Sequence, residues 1–193
     1  MQALREIALD VETTGLSPAE GHRLLEIGLV EMIDKKPTSK VLHLRVNPAR
    51  DIPARVVEIH GITNKMVAKE PIFAVIAQQV MDFIGTSPIV ITCRTDGKNK
   101  TLDIEFLKAE MEKAGLKPFP DTQWVNVRRW SEVLFGDVGA RLDNVLDHYK
   151  IDRTMRDVHG ALLDAQLLAK VYPFLARDYA SHTSPKKPSA PEM

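Results

Sequence analysis

Three short motifs in a fixed order carry the residues able to do chemistry: Asp10-Val-Glu12-Thr-Thr-Gly15, Asn99-x-x-x-Asp103 and His159-Gly-Ala-Leu-Leu-Asp164. Together they offer four carboxylates and a histidine, the set needed to hold two divalent cations and activate a water. Asp10 and Glu12 stand two apart at the end of an expected strand, and a period of two puts both on one face. A charged pair there is costly unless neutralised, which hard cations such as Mg²⁺ or Mn²⁺ do through oxygen ligands. Solvent at the strand end would serve as well, so the pair alone leaves both readings open. Thr13, Thr14 and Gly15 follow, either as nucleotide contacts, with Gly15 allowing close backbone approach, or as a simple turn.

Asp103 falls in the first turn of an expected helix, where the helix dipole also favours an acid. Asn99 just ahead of it is either a cap or a substrate contact. His159 and Asp164 are five apart, an offset of about 140° around a helix. They converge only if His159 sits on the turn before the helix, with Gly160 permitting the bend. Histidine titrates near neutral pH and can take a proton from water.

The elements that must position these groups follow from the apolar pattern. Strands are expected over 4–10, 24–33, 40–46, 89–91 and 123–127, with a hairpin turn over 35–39. Helices are expected over 52–60, briefly after Thr63, and over 71–84, 101–114, 128–135, 140–149 and 160–176. In the 101–114 helix, Ile104, Leu107, Met111 and Ala114 form the apolar stripe. Three meandering strands and then helix–strand alternation imply an α/β fold with a mixed sheet covered by helices. Residues 1–180 read as one domain, and 181–193, with three prolines, as a disordered tail.

Composition narrows the functional classes. A formal net charge of zero argues against gripping long duplex DNA by bulk electrostatics, but not against holding a few terminal nucleotides. The single cysteine, Cys93, excludes an internal disulfide framework and a cysteine-cluster zinc site, and suits a cytoplasmic location. No apolar stretch is long enough to span a membrane, and no signal peptide is evident.

These motifs resemble those of the DEDDh group of 3′–5′ exonucleases, especially the proofreading exonucleases of bacterial DNA polymerase III. The resemblance runs from Ile7 to Leu175. It includes Arg23-Leu-Leu-Glu-Ile-Gly28 as the second strand, Val57-Glu-Ile-His60-Gly-Ile-Thr as the His-Gly-Ile segment, and Ser131 to Ile151 as the run of helices. It implies a ribonuclease H-like fold with a five-stranded mixed sheet. Asp10, Glu12, Asp103 and Asp164 would hold two Mg²⁺ or Mn²⁺ ions, and His159 would deprotonate the attacking water. The product would be a nucleoside 5′-monophosphate from a single-stranded DNA 3′ end. His60 joins Thr13, Thr14, Gly15 and Asn99 as a candidate substrate contact, with core packing as its ordinary role.

The chain departs from the family pattern before the second motif. The passage through Arg94 to Lys98 is longer than usual, Lys98 and Leu102 replace the usual histidine and aromatic, and Asn126 stands where many relatives carry an acid. Arg94, Lys98 and Lys100 either touch phosphates or form a solvated loop. The tail shows no clamp-binding motif of the glutamine-led type and lacks the longer extension that polymerase-binding relatives use, which weakens a place in a replisome; the expected partner is a single-stranded DNA 3′ end, with a DNA polymerase catalytic subunit as the less supported second. Two alternatives stay open: a DEDDh ribonuclease trimming short RNA 3′ ends, and a degenerate exonuclease that only binds nucleic acid or a partner protein. Either Asp10→Ala or His159→Ala is expected to abolish turnover with circular dichroism unchanged; full activity in either purified variant would refute the assignment.

Overall fold

In a computed structural model, residues 3–93, 101–155 and 159–184 are described. Asn99, with Arg94, Lys98 and Lys100, lies outside the described residues, as do 185–193 of the tail. Among the described residues five strands form one mixed sheet in the order β3-β2-β1-β4-β5. Strands β1 (Arg5–Thr13), β2 (Leu24–Ile33) and β3 (Lys36–Arg45) make an antiparallel meander. On the other side of β1, β4 (Ile89–Ile91) and then β5 (Trp124–Asn126) add in parallel. The helices are α1 (Ala54–His60), α2 (Asn64–Val67), α3 (Phe73–Ile84), α4 (Leu102–Lys113), α5 (Arg128–Gly139), α6 (Leu142–His148) and α7 (Ala161–Thr183). The expected fold class is borne out.

The middle of β1, Ile7 to Leu9, and Val11 are apolar and buried because helices cover both faces of the sheet there. Ile7, Leu9 and Val11 pack with Phe73 and Val80 of α3 and with Leu107 and Met111 of α4. Ala8, with Val30 and Met32 of β2, packs on Leu168, Tyr172 and Leu175 of α7. Alternation therefore turns Glu6, Asp10 and Glu12 toward the α7 side. The Tyr172 hydroxyl, which donates to Glu6 Oε1 at 2.6 Å, agrees with this.

Several elements differ from expectation. Strand β1 continues to Thr13, so Asp10 and Glu12 stand within it and pair with Gly28 and Glu26 of β2. The hairpin turn sits at Asp34 and Lys35, with φ of 48° and 65°, the geometry of a tight two-residue hairpin. Pro37 drew the expected turn too late; β3 is an edge strand, where proline is tolerated. Gly136, with φ 72°, breaks the helical path of α5 just past the expected end at Phe135. Helix α7 continues through Pro173 to Thr183, past the expected helix end at Ala176.

On α4 the buried face carries Asp103, Phe106, Leu107, Glu110 and Met111. Apolar counting misses the two acids because it cannot see their partners. Glu110 is 3% exposed and takes a bidentate bridge from Arg23, with Nη2 to Oε2 at 2.7 Å. This bridge ties α4 to the start of β2, and Glu110 lies seven residues, about two turns, along the same face from Asp103. Arg23→Ala would leave a buried carboxylate uncompensated and is expected to lower stability by about 3 kcal/mol. Urea denaturation reads this directly, and an unchanged midpoint would show the bridge to be dispensable.

Candidate active site

The C-terminal half of β1 opens into a cleft of about 410 Å³ lined by Asp10, Val11, Glu12, Thr92, Arg128, Arg141, Leu142, Asp143, His159 and Asp164. It lies where the parallel strands β1 and β4 end, the usual place for a ligand site in such sheets. Asp164 is in the first turn of α7, 4% exposed, and its N–H donates to the Gly160 carbonyl at 2.9 Å. Gly160 is extended and places His159 before the helix. The His159 N–H also reaches the Ile59 carbonyl of α1 at 3.4 Å. As a result His159 Nδ1 lies 3.4 Å from Asp164 Oδ2. Glu12, His159 and Asp164 each offer a ligand atom within 4.8 Å of the others.

Electrostatics mark this as a crowded place. The Glu12 carboxyl is pushed up to about 8, chiefly by burial; His159 opposes the shift, while Asp164, Glu26 and Asp103 add to it. Asp103, at the start of α4, is 5% exposed and does not line the cleft, but its charge acts on Glu12. Burial raises its own carboxyl to about 7 against the hydrogen bond from the Cys93 thiol. That thiol, pushed up to about 12 mainly by burial, remains a donor. Its sulfur also accepts the Leu102 N–H at 3.2 Å, joining the end of β4 to the start of α4.

Asn126 completes this corner. Its Nδ2 donates to the Cys93 carbonyl at 2.8 Å, and its Oδ1 accepts the N–H groups of Cys93 at 3.3 Å and Arg128 at 3.1 Å. A carboxylate in its place could not donate to that carbonyl. The amide at this departure from the family pattern thus has a structural task.

The remaining expected contacts are placed differently. Thr13 donates its hydroxyl to the Gly15 carbonyl at 2.6 Å. Thr14, fully buried, accepts the Arg23 N–H at 2.9 Å and meets His22 Nδ1 at 3.1 Å. Both hydroxyls therefore brace the loop after β1. Gly15 is needed for a close neighbour, but that neighbour is His22: a Cβ would stand 2.4 Å from its ring. His60 is buried, accepts the Ile62 N–H on Nδ1 at 3.0 Å, and is held below the usual histidine range by burial, against the Thr13 carbonyl. Arg128, which the sequence offers either as electrostatic guidance or as plain surface charge, lines the cleft, and so do Thr92 and Arg141. Nothing local marks the last two, because α6 meets β1 only in the folded chain.

A sheet of this order, with acids of its central strand facing those of a flanking helix at the strand ends, defines the ribonuclease H-like class of nucleases. The chain belongs to the exonuclease family, whose RNase_T model matches residues 7–172. It is 38% identical over 175 residues to a DNA polymerase III subunit epsilon of Rickettsia typhi, covering 89% of this chain and 74% of that protein. In fold it is similar to the nuclease domain of 3′hExo, a DEDDh family member, bound to rAMP (TM-score 0.72, 19% identity, 91% of this chain and 93% of that one). It is also similar to exonuclease X in complex with 5′ overhanging duplex DNA (TM-score 0.62, 21% identity, 92% of each). The chain is a DEDDh-type 3′–5′ exonuclease, a family that uses divalent metal ions.

The raised carboxyls set a pH dependence. A folded-state pKa above the unfolded value means that the folded chain holds protons the unfolded chain has lost, so stability falls as pH rises through that interval. For Glu12 the interval runs from 4.5 to about 8, and for Asp103 from 3.8 to about 7. Melting temperature in chelator is therefore expected to fall between pH 5 and pH 8 on the order given by those shifts. Excess Mn²⁺ should flatten the slope, and Glu12→Gln should reduce it. Scanning fluorimetry across that range checks the sign; a rising trend in chelator would contradict it.

Proposed function

We propose that this cleft hydrolyses the terminal phosphodiester of a single-stranded DNA 3′ end and releases nucleoside 5′-monophosphates, as a proofreading exonuclease does. The observation carrying this reading is the meeting of Glu12, His159 and Asp164 within 4.8 Å in a cleft that Asp10 also lines. Their donor set, mostly carboxylate oxygen, suits Mg²⁺ or Mn²⁺. Asp10, Glu12, Asp103 and Asp164 are the residues to hold two such ions, which when bound ease deprotonation of a water and neutralise charge on the phosphoryl group.

His159 is half exposed at the cleft, where it can take the proton of the attacking water and pass it to solvent. The Asp164 carboxylate, 3.4 Å from Nδ1, orients the ring. Arg141, exposed on the cleft wall, supplies positive charge for the incoming strand. Arg128 is engaged with Glu132 and Asp137 and shapes the wall. The similarity to DNA polymerase III subunit epsilon supports a DNA polymerase catalytic subunit as partner and a cytoplasmic site of action. No helix among the described residues is long and apolar enough to cross a membrane.

Matched single-stranded DNA and RNA oligonucleotides, incubated with Mg²⁺ and with chelator, test the reading. Stepwise shortening of DNA from the 3′ end, stopped by chelator and faster than that of RNA, is expected. Faster shortening of RNA would transfer the chain to RNA trimming, and no chelator-sensitive shortening of either would leave a binding module.

A further inference from the structure

Glu26 is the third residue of β2, is 4% exposed and pairs across the sheet with Glu12. Two carboxylates directly opposed in a sheet repel, and burial adds to the cost. Glu26 offsets it with three contacts. Oε1 meets His43 Nε2 at 2.7 Å and Arg45 Nε at 3.6 Å, both from β3. Oε2 accepts the N–H of Ala161 at 2.9 Å. Ala161 is the first residue of the 23-residue helix α7, so its amide is one of those a helix start leaves without an internal partner.

A second contact fixes the same turn. At Gly28, two residues along β2 on the same face, a Cβ would stand 2.4 Å from the Ala161 carbonyl carbon and oxygen and from the Leu162 nitrogen. Backbone rests on backbone there. The first turn of α7 is thus seated on Gly28 and tethered by Glu26, and it carries His159 two residues before Ala161 and Asp164 three after. We propose that Glu26 is a positioning residue: through the Ala161 amide it sets where His159 and Asp164 stand relative to Glu12. The proposal rests on the reading of the cleft as a metal-dependent exonuclease site. It differs from a purely structural role, in which Glu26 only staples β2 to β3 through His43 and Arg45.

Four variants separate these roles. Glu26→Ala removes the tether, and Glu26→Gln keeps an acceptor. Ala161→Pro removes the donor and sets a ring carbon against Glu26 Oε2, so it breaks the tether from the helix side; the first helical position and the extended Gly160 before it (φ −157°, ψ 127°) suit proline in the backbone. His43→Ala removes a β3 contact and leaves the Ala161 contact in place. On a single-stranded DNA oligonucleotide, Glu26→Ala and Ala161→Pro are each expected to lower kcat about 10- to 100-fold with KM little changed. The double variant should fall no further than the weaker single, because both break one interaction. Glu26→Gln and His43→Ala should stay near wild type in kcat.

Titration calorimetry with Mn²⁺ gives a readout independent of turnover, and the two tether variants should bind about 10-fold more weakly or worse. Wild-type kcat and Mn²⁺ affinity in Ala161→Pro, or losses that multiply in the double variant, would overturn the proposal. Should Glu26→Ala not fold, Ala161→Pro decides alone, since Glu26 there keeps His43 and Arg45. A wild-type protein that binds Mn²⁺ but cleaves no oligonucleotide would defeat the exonuclease reading, while the calorimetry would still decide on Glu26.

Discussion

Carboxylates brought together in a protein interior repel one another and lose their hydration, so a fold that gathers them must hold them by other means. At the end of β1, Glu12 feels Asp164, Glu26 and Asp103, with His159 as the main opposing charge. Burial contributes more than any of these neighbours. The proposed cations resolve the conflict in the working protein, but the backbone has to carry it during folding. Much of the surrounding architecture can be understood as restraint on those acidic groups.

The restraints come from each direction. The core on one face of the sheet seats α3 and α4, and the core on the other seats α7 along β1 and β2. Arg23 and Glu110 lock α4 to β2 on the side of Asp103. Cys93 and Asn126 close the ends of β4 and β5 around the start of the same helix. The Ile59 carbonyl of α1 reaches the backbone of His159. The Thr13 and Thr14 hydroxyls stiffen the loop that leaves β1 after Glu12. None of these groups has to touch substrate to matter, since misplacement of a reacting group by about 1 Å can cost about 100-fold in rate.

The same arrangement divides labour between the faces of the sheet. Asp10, Glu12, His159 and Asp164 line the cleft, whereas Asp103 reaches Glu12 from α4 through its charge. An exposed histidine beside buried acids suits a group that must exchange protons with solvent, while the acids suit fixed ligands. The balanced net charge of the chain is compatible with this, because bound cations would reverse the local sign at the cleft.

Sequence alone determined the motif residues, their order, the α/β class and nearly every element, because residue type and local period are properties of neighbours along the chain. It also required His159 to precede its helix, since the angle between positions five apart allows nothing else. Tertiary structure decided what depends on distant partners. Glu26 and Ala161 meet across 135 residues, and Arg23 and Glu110 across 87. Those pairings make two acids interior that composition would place in water. The Arg23 pairing also explains why the apolar stripe on α4 gave no sign that Glu110 is buried. A hydropathy pattern records the average preference of a side chain for water, whereas a buried charge is settled by the one partner the fold brings to it.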